Sequence, residues 1–168
     1  STHFFTKLLL GRNAGEKDTE IHRELRSCFD PATWSHYQRV VIPVNVTFDK
    51  KAAEGTHWSM IVVDLEALTI RLYDSMNLTP ALWLSVMEAF VQHEWDARGW
   101  SRELWKKNYV GNEQIPMQQD SCSCGIFVCA MADSLGAGRD LNSFFQDDID
   151  EIRCAMDKLL RRMYFVKD

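Results

Sequence analysis

Two runs of β-forming residues, Trp58–Asp64 and Thr69–Tyr73, are separated by only Leu65–Leu68. Runs so close together read as the two arms of an antiparallel hairpin. Val40–Val46 is a third such run, mostly apolar, and reads as a buried strand. A chain with this start is committed to a small sheet, and the remaining segments must cover its faces.

Helical patterns supply the cover. Thr79-Pro80 has the form of an N-cap followed by proline at the first helical position. Leu82, Val86, Phe90 and His93 follow at helical spacing, so a helix is expected over Pro80–Arg98, closed by Gly99. Tyr109-Val110 reads as a short edge strand. Gly125–Leu135 is apolar on most faces and reads as a buried helix, stopped by Gly136 and Gly138. The last helix is expected from Gln146 to Tyr164, with Asp147, Asp148, Asp150 and Glu151 early and Lys158, Arg161 and Arg162 late. Those charges complement the helix dipole at both ends. The fold class is α+β: a small, mainly antiparallel sheet packed by helices.

With 168 residues and no repeat, low-complexity tract or linker, the chain is expected to form one domain over 1–168. The most polar interruption, Gly11–Thr19, reads as a surface loop. A net charge of −5 argues against general nucleic-acid binding, which needs a basic face. No apolar run approaches a membrane span. Ser1–Leu10 has a short apolar stretch without a small-residue cleavage site, so a signal peptide is not expected. Five cysteines at irregular spacing (Cys28, Cys122, Cys124, Cys129 and Cys154) fit free thiols in a reducing compartment.

The hairpin carries a candidate base and carboxylate at its open end. His57 enters the first arm and Asp74 leaves the second, and their midpoint falls at 65.5, inside the turn. Residues equidistant from a turn lie opposite each other, with Cβ atoms about 4.5–5.5 Å apart. A carboxylate at that distance accepts a hydrogen bond from one imidazole nitrogen, fixes the tautomer and leaves the other as a base. The plainer reading is two surface polar groups at strand ends. It applies also to His3, His22, His36 and His93, for which the sequence offers no partner.

A candidate nucleophile lies where the polar loop Gln118–Ser123 meets the apolar helix. A helix N-terminus favours negative charge, and with it the thiolate form of a cysteine. Cys124 stands there, followed by Gly125, which lets a substrate backbone approach closely. Unpaired backbone N–H groups at the same place can bind an oxyanion. Cys122 is the rival thiol, further from the helix start and without an adjacent glycine. Cys129 is expected to be an inert core thiol, with Cys154 and Cys28 structural. A Cys-x-Cys pair with scattered histidines has no zinc-site spacing, so no metal is expected. Gln118, six residues before Cys124, can fold back and offer its side-chain amide as a second oxyanion donor, or is simply part of a solvated loop.

Together these residues resemble the SUMO-specific (sentrin-specific) ubiquitin-like-protein protease family. The resemblance rests on Thr56-His57-Trp58-Ser59-Met60-Ile61-Val62-Val63-Asp64, Tyr73-Asp74-Ser75-Met76, Ile115-Pro116-Met117-Gln118 and Cys124-Gly125-Ile126-Phe127-Val128-Cys129. Weaker likeness extends to Phe4-Phe5-Thr6-Lys7-Leu8 and to Phe145-Gln146-Asp147-Asp148-Ile149 with Arg153 and Met156. It implies a papain-like architecture with the nucleophile at a helix N-terminus. It implies Cys124 as nucleophile, His57 as base, Asp74 as orienter and Gln118 as oxyanion donor. Trp58 would roof a narrow tunnel for a Gly-Gly tail, and two glycines carry no Cβ to strike an indole lid. Phe4, Phe5 and Met117 would touch the modifier.

Three departures stand out. Ser123 occupies the place where the family usually has Asp, and Met117 the place of a frequent second Gln. The family's upstream segment, with a Trp-Leu-x-Asp type motif, is expected to be absent from this sequence. The implied activity is thiol hydrolysis after the C-terminal Gly-Gly of a modifier, SUMO first, in deconjugation and precursor processing. It needs no cofactor, and implies an intracellular monomer, nuclear or cytoplasmic, or a bacterial effector inside a host cell. The alternatives are a protease for ubiquitin or another ubiquitin-like protein, a YopJ-like acetyltransferase, and a catalytically silent binding module.

Overall fold

The computed structural model describes residues 36–46, 56–100, 105–110 and 114–165. Among the described residues four strands form one sheet in the order β1 (Arg39–Val46), β2 (His57–Asp64), β3 (Thr69–Tyr73) and β4 (Lys106–Tyr109). The first two pairings are antiparallel and β3–β4 is parallel. Among the described residues three helices cover the sheet: α1 (Leu82–Asp96) and α2 (Cys124–Gly136) pack on it, and α3 (Ile149–Phe165) packs on α2. The fold is α+β, as the sequence implied.

Alternation along the strands builds two cores. Ile61, Val63, Ile70, Leu72, Ile42 and Val44 face α1, where they meet Trp83, Leu84, Met87, Phe90 and Val91. Met60, Val62 and Tyr73 face the other way, against Phe127, Val128 and Met131 of α2, with Phe144 and Ile149 below. Strand β2 is therefore covered on both sides, which explains its nearly unbroken apolar sequence. Strand β1 lies at the sheet edge and holds Pro43, a residue with no N–H for a ladder. Its register is pinned where Arg39 Nε donates to Asp64 Oδ2 at 2.9 Å, across a paired position.

The hairpin is as expected at its turn and different in register. Met60 pairs with Tyr73 and Asp64 with Thr69. Extended beyond its last pair, this ladder would set Asp74 opposite Ser59, not opposite His57. The midpoint estimate is thus corrected by two positions. A two-position shift keeps side chains on the same face, so His57 and Asp74 become diagonal neighbours rather than strangers.

Helix α1 also starts later than expected. Its N-cap is Ala81, with no side-chain cap bond. Thr79 lies two residues before that cap, in the loop closing over Asp74, where its N–H donates to Asp74 Oδ2 at 2.6 Å. Leu82 is exposed and His93 half-buried, whereas Val86 and Phe90 are buried as expected, beside Trp83, Met87 and Glu94, the last paired with Arg98 at 2.7 Å. Gly99 follows at φ +65°, a left-handed position that ends the helix. Strand β4 ends at Tyr109, and Val110 turns into the α2-side core. The last helix begins as a short 3-10 turn over Gln146–Asp148 before α3.

Candidate active site

Asp74 leaves β3 and is closed over at once by its own loop. Its Oδ1 accepts from Met76 N–H at 2.9 Å, and its Oδ2 from Leu78 and Thr79 N–H at 2.9 and 2.6 Å. Asn77 allows the tight path by taking φ +54°, a conformation asparagine tolerates better than most residues. The fourth partner is His57, whose Nε2 lies 2.7 Å from Oδ1. Both residues are buried. Burial would push the Asp74 carboxyl up, but the hydrogen bonds from His57 and from the loop outweigh it and lower its pKa to about 2. The charge is felt nearby: burial, reinforced by Asp74, raises the pKa of Tyr109 to about 12. An ionised carboxylate on Nε2 fixes the imidazole plane and directs chemistry to Nδ1.

Cys124 is the first residue of α2 and is buried. The N-cap, Ser123, makes no side-chain cap bond. Its hydroxyl donates to Asp120 Oδ2 at 2.7 Å instead. The N–H groups of Cys124 and Gly125 have no acceptor among the described residues. They form the anion-receptive end of the helix. Cys122 is exposed, two residues earlier.

Two contacts join the His57–Asp74 pair to the Cys124 segment. Trp58, next to His57, lies beside Gly125: a Cβ added to that glycine would sit 3.8 Å from Trp58 Cδ1, an ordinary contact. Ser75, next to Asp74, holds the loop before the cysteine. Its carbonyl accepts from Gln118 N–H at 2.9 Å, and its hydroxyl donates to Gln118 Oε1 at 3.2 Å. Gln118 Nε2 meets Asp120, at 2.8 Å to the carbonyl and 2.9 Å to Oδ1. The expected oxyanion donor is therefore held within its own loop. Met117 is half-buried against the α2-side core.

The sequence reading missed Asp120, Ser75 and Gln146. Asp120 Oδ1 accepts from Cys122 and Ser123 N–H at 2.9 and 2.8 Å. An aspartate two and three residues ahead of the amides it serves is the signature of an Asx turn, and the Asp-Ser-Cys-Ser string carries it. Gln146 gave no local signal, because its partners are 26 and 27 residues away.

Other expectations need correction or fall outside. Cys129 is not a core thiol. It is exposed at the rim of a cleft of about 540 Å³ between α2 and α3, though neighbouring side chains desolvate it enough to raise its pKa. Cys154 is exposed on α3, with its thiol free. His36 is exposed, and His93 sits in the last turn of α1. Phe4, Phe5, Cys28, His3, His22 and the Gly11–Thr19 segment lie outside the described residues. Among the described residues no group of three His, Cys, Asp or Glu side chains is placed to hold a metal ion.

The chain resembles known proteins in sequence and in fold. Human sentrin-specific protease 2 is 25% identical over 89 residues, which is 51% of this chain and 15% of that protein. The chain thus spans a small part of the length of the curated relative it matches. The C-terminal Ulp1 protease domain, solved in complex with Smt3, the yeast ortholog of SUMO, has a similar fold: TM-score 0.63 and 19% identity over 90% of this chain and 68% of that one. The Ulp1-like SUMO protease catalytic domain of Chaetomium thermophilum gives TM-score 0.55 and 14% identity over 90% of this chain and 65% of that one. The model of the Ulp1 protease family, C-terminal catalytic domain, matches residues 2–166, and the chain belongs to that family.

Proposed function

We propose that this chain is a cysteine protease that cleaves after the C-terminal Gly-Gly of a ubiquitin-like modifier, with SUMO as the preferred modifier. The observation that carries the reading is the buried 2.7 Å contact between His57 and Asp74, next to a strand residue, Trp58, that lies beside the start of the Cys124 helix.

In this mechanism the modifier's tail lies under Trp58. His57 takes the Cys124 proton, and the thiolate attacks the carbonyl carbon of the terminal glycine. The developing oxyanion is met by the Cys124 N–H and by the Gln118 amide. The tetrahedral intermediate collapses, the C–N bond breaks, and His57 returns the proton to the departing lysine amine. Water, deprotonated by His57, then hydrolyses the thioester and frees the thiol. The same steps release a modifier from a conjugate or trim its precursor.

The Ulp1 domain held in complex with yeast SUMO favours SUMO over other modifiers. Membership of a protease family weighs against acetyl transfer from coenzyme A. The free thiols among the described residues suit a reducing intracellular compartment. The test uses SUMO, ubiquitin and other modifiers, each ending in a glycine electrophile. SUMO is expected to form a covalent adduct seen as a gel shift and lost in Cys124→Ala. No adduct with any modifier would defeat the reading.

A further inference from the structure

Asp120 is an acidic residue in a loop, with no part in the mechanism above, yet its carboxylate accepts five hydrogen bonds. Oδ1 serves Cys122 N–H, Ser123 N–H and Gln118 Nε2 at 2.9, 2.8 and 2.9 Å. Oδ2 serves the Ser123 hydroxyl and Gln146 Nε2, both at 2.7 Å. Hydrogen bonds from Ser123 and the Cys122 amide hold the carboxyl well below the usual range, so it is ionised at neutral pH.

The pattern of capture matters more than the number. Asp120 takes the two amides just before Cys124 and turns the Ser123 hydroxyl away from the helix. The next two amides, of Cys124 and Gly125, are left without an acceptor among the described residues. It also fixes the Gln118 side chain from one end while Ser75 fixes it from the other. Gln146 then ties the carboxylate to the turn before α3, and its Oε1 accepts from Gln119 N–H at 2.7 Å. The Gln118 Nε2 group also donates to the Asp120 carbonyl at 2.8 Å, so to meet an oxyanion it gives up that carbonyl and keeps its other hydrogen on the Asp120 carboxylate.

We propose that Asp120 is a positioning residue for the Cys124 centre. Its carboxylate sets the plane of the Gln118 amide and reserves the first amides of α2 for the reacting oxygen. Ser123, where the family usually has Asp, takes part through its hydroxyl, with the charge supplied three residues earlier. The inference rests on the protease reading and adds a residue to it.

The test measures hydrolysis of a SUMO C-terminal fluorogenic amide by wild type, Asp120→Ala, Asp120→Asn, Gln118→Ala and the double alanine variant. Because the groups concerned meet only the reacting carbonyl, Asp120→Ala is expected to lower kcat by on the order of 10- to 100-fold, with KM within about twofold. Asn can still accept at Oδ1 from Cys122, Ser123 and Gln118, so Asp120→Asn recovers most of that loss. The double variant falls well short of the product of the single losses, since both act on one amide. A KM effect alone, no recovery by Asn, or fully multiplicative losses would overturn the proposal.

Nitrogen-detected NMR reads the geometry without turnover. In Asp120→Ala the Gln118 side-chain signals shift, and exchange at the Cys122 and Ser123 amides speeds up. Unchanged signals and exchange defeat the proposal even where Asp120→Ala is inactive. A wild-type chain that turns over no modifier defeats the protease reading, and the NMR result then still decides whether Asp120 orders this loop.

Discussion

His57 and Asp74 are joined at 2.7 Å although the β2–β3 ladder does not set them opposite each other. The contact is made because Asp74 lies just beyond its strand, where its own loop wraps the carboxylate with three amides. The orienting group is thus held by backbone and needs no second charged side chain. Asp74→Asn is expected to keep the fold and lower kcat by on the order of 10³–10⁴-fold, through the wrong imidazole tautomer. Steady-state kinetics beside a thermal melt checks this, and an unchanged rate would remove Asp74 from the mechanism.

The same carboxylate makes stability depend on acid. Its pKa is lowered from 3.8 to about 2 in the folded state. The stabilisation, about 2 kcal/mol, is therefore complete above pH 4 and lost as the pH falls through 2. Urea unfolding at stepped pH measures it. Asp74→Asn should lack this part of the acid dependence, and an identical slope in the variant would contradict the assignment.

The two thiols flanking Ser123 should separate cleanly. Cys124→Ala is expected to abolish turnover and retain modifier binding. Cys122→Ser should stay within about twofold of wild type, because only its backbone N–H bonds to Asp120. Activity in Cys124→Ala with loss in Cys122→Ser would exchange their roles.

Gly125 has room for a methyl group, since an added Cβ would meet Trp58 Cδ1 at 3.8 Å. Gly125→Ala is expected to leave stability unchanged or raise it by up to about 1 kcal/mol, as alanine is the better helix former. Turnover should fall at least tenfold, because the methyl group stands where the Gly-Gly tail passes under the indole. Full activity would show that the tail does not use this face.

Phe127 is fully buried in the α2-side core, 5.6 Å from the ring of Phe144. Phe127→Ala should cost about 3–5 kcal/mol of stability. Loss of less than about 1 kcal/mol in chemical denaturation would mean that this core is loosely packed.

The parts of the fold with a short-range cause were legible in the sequence. Strand β3 was placed residue for residue and β2 to within one, because apolar runs and a short turn define them locally. The pairing register was legible in the turn but misread: the ladder centres on 66.5, the middle of Leu65–Leu68, and His57 and Asp74, whose midpoint is 65.5, are not equidistant from it. The helix start at Thr79 was misjudged because that residue belongs to the loop that closes over Asp74, five residues earlier, and the helix begins only after Ala81. Cys129 was misjudged because an apolar helix has an outer face wherever its neighbour leaves a cleft. In the site, His57, Asp74 and Cys124 stood out by residue type and place, whereas the Asp120–Gln146 tie depends on a fold that no local pattern encodes.

The sheet and α1 use residues up to 110, while the thiol and the turn that steadies its loop come from 118–148. During synthesis the imidazole and its carboxylate therefore leave the ribosome well before the sulfur. A nascent chain that has made only the imidazole and its carboxylate still lacks the Cys124 thiol, which follows Asp74 fifty residues later.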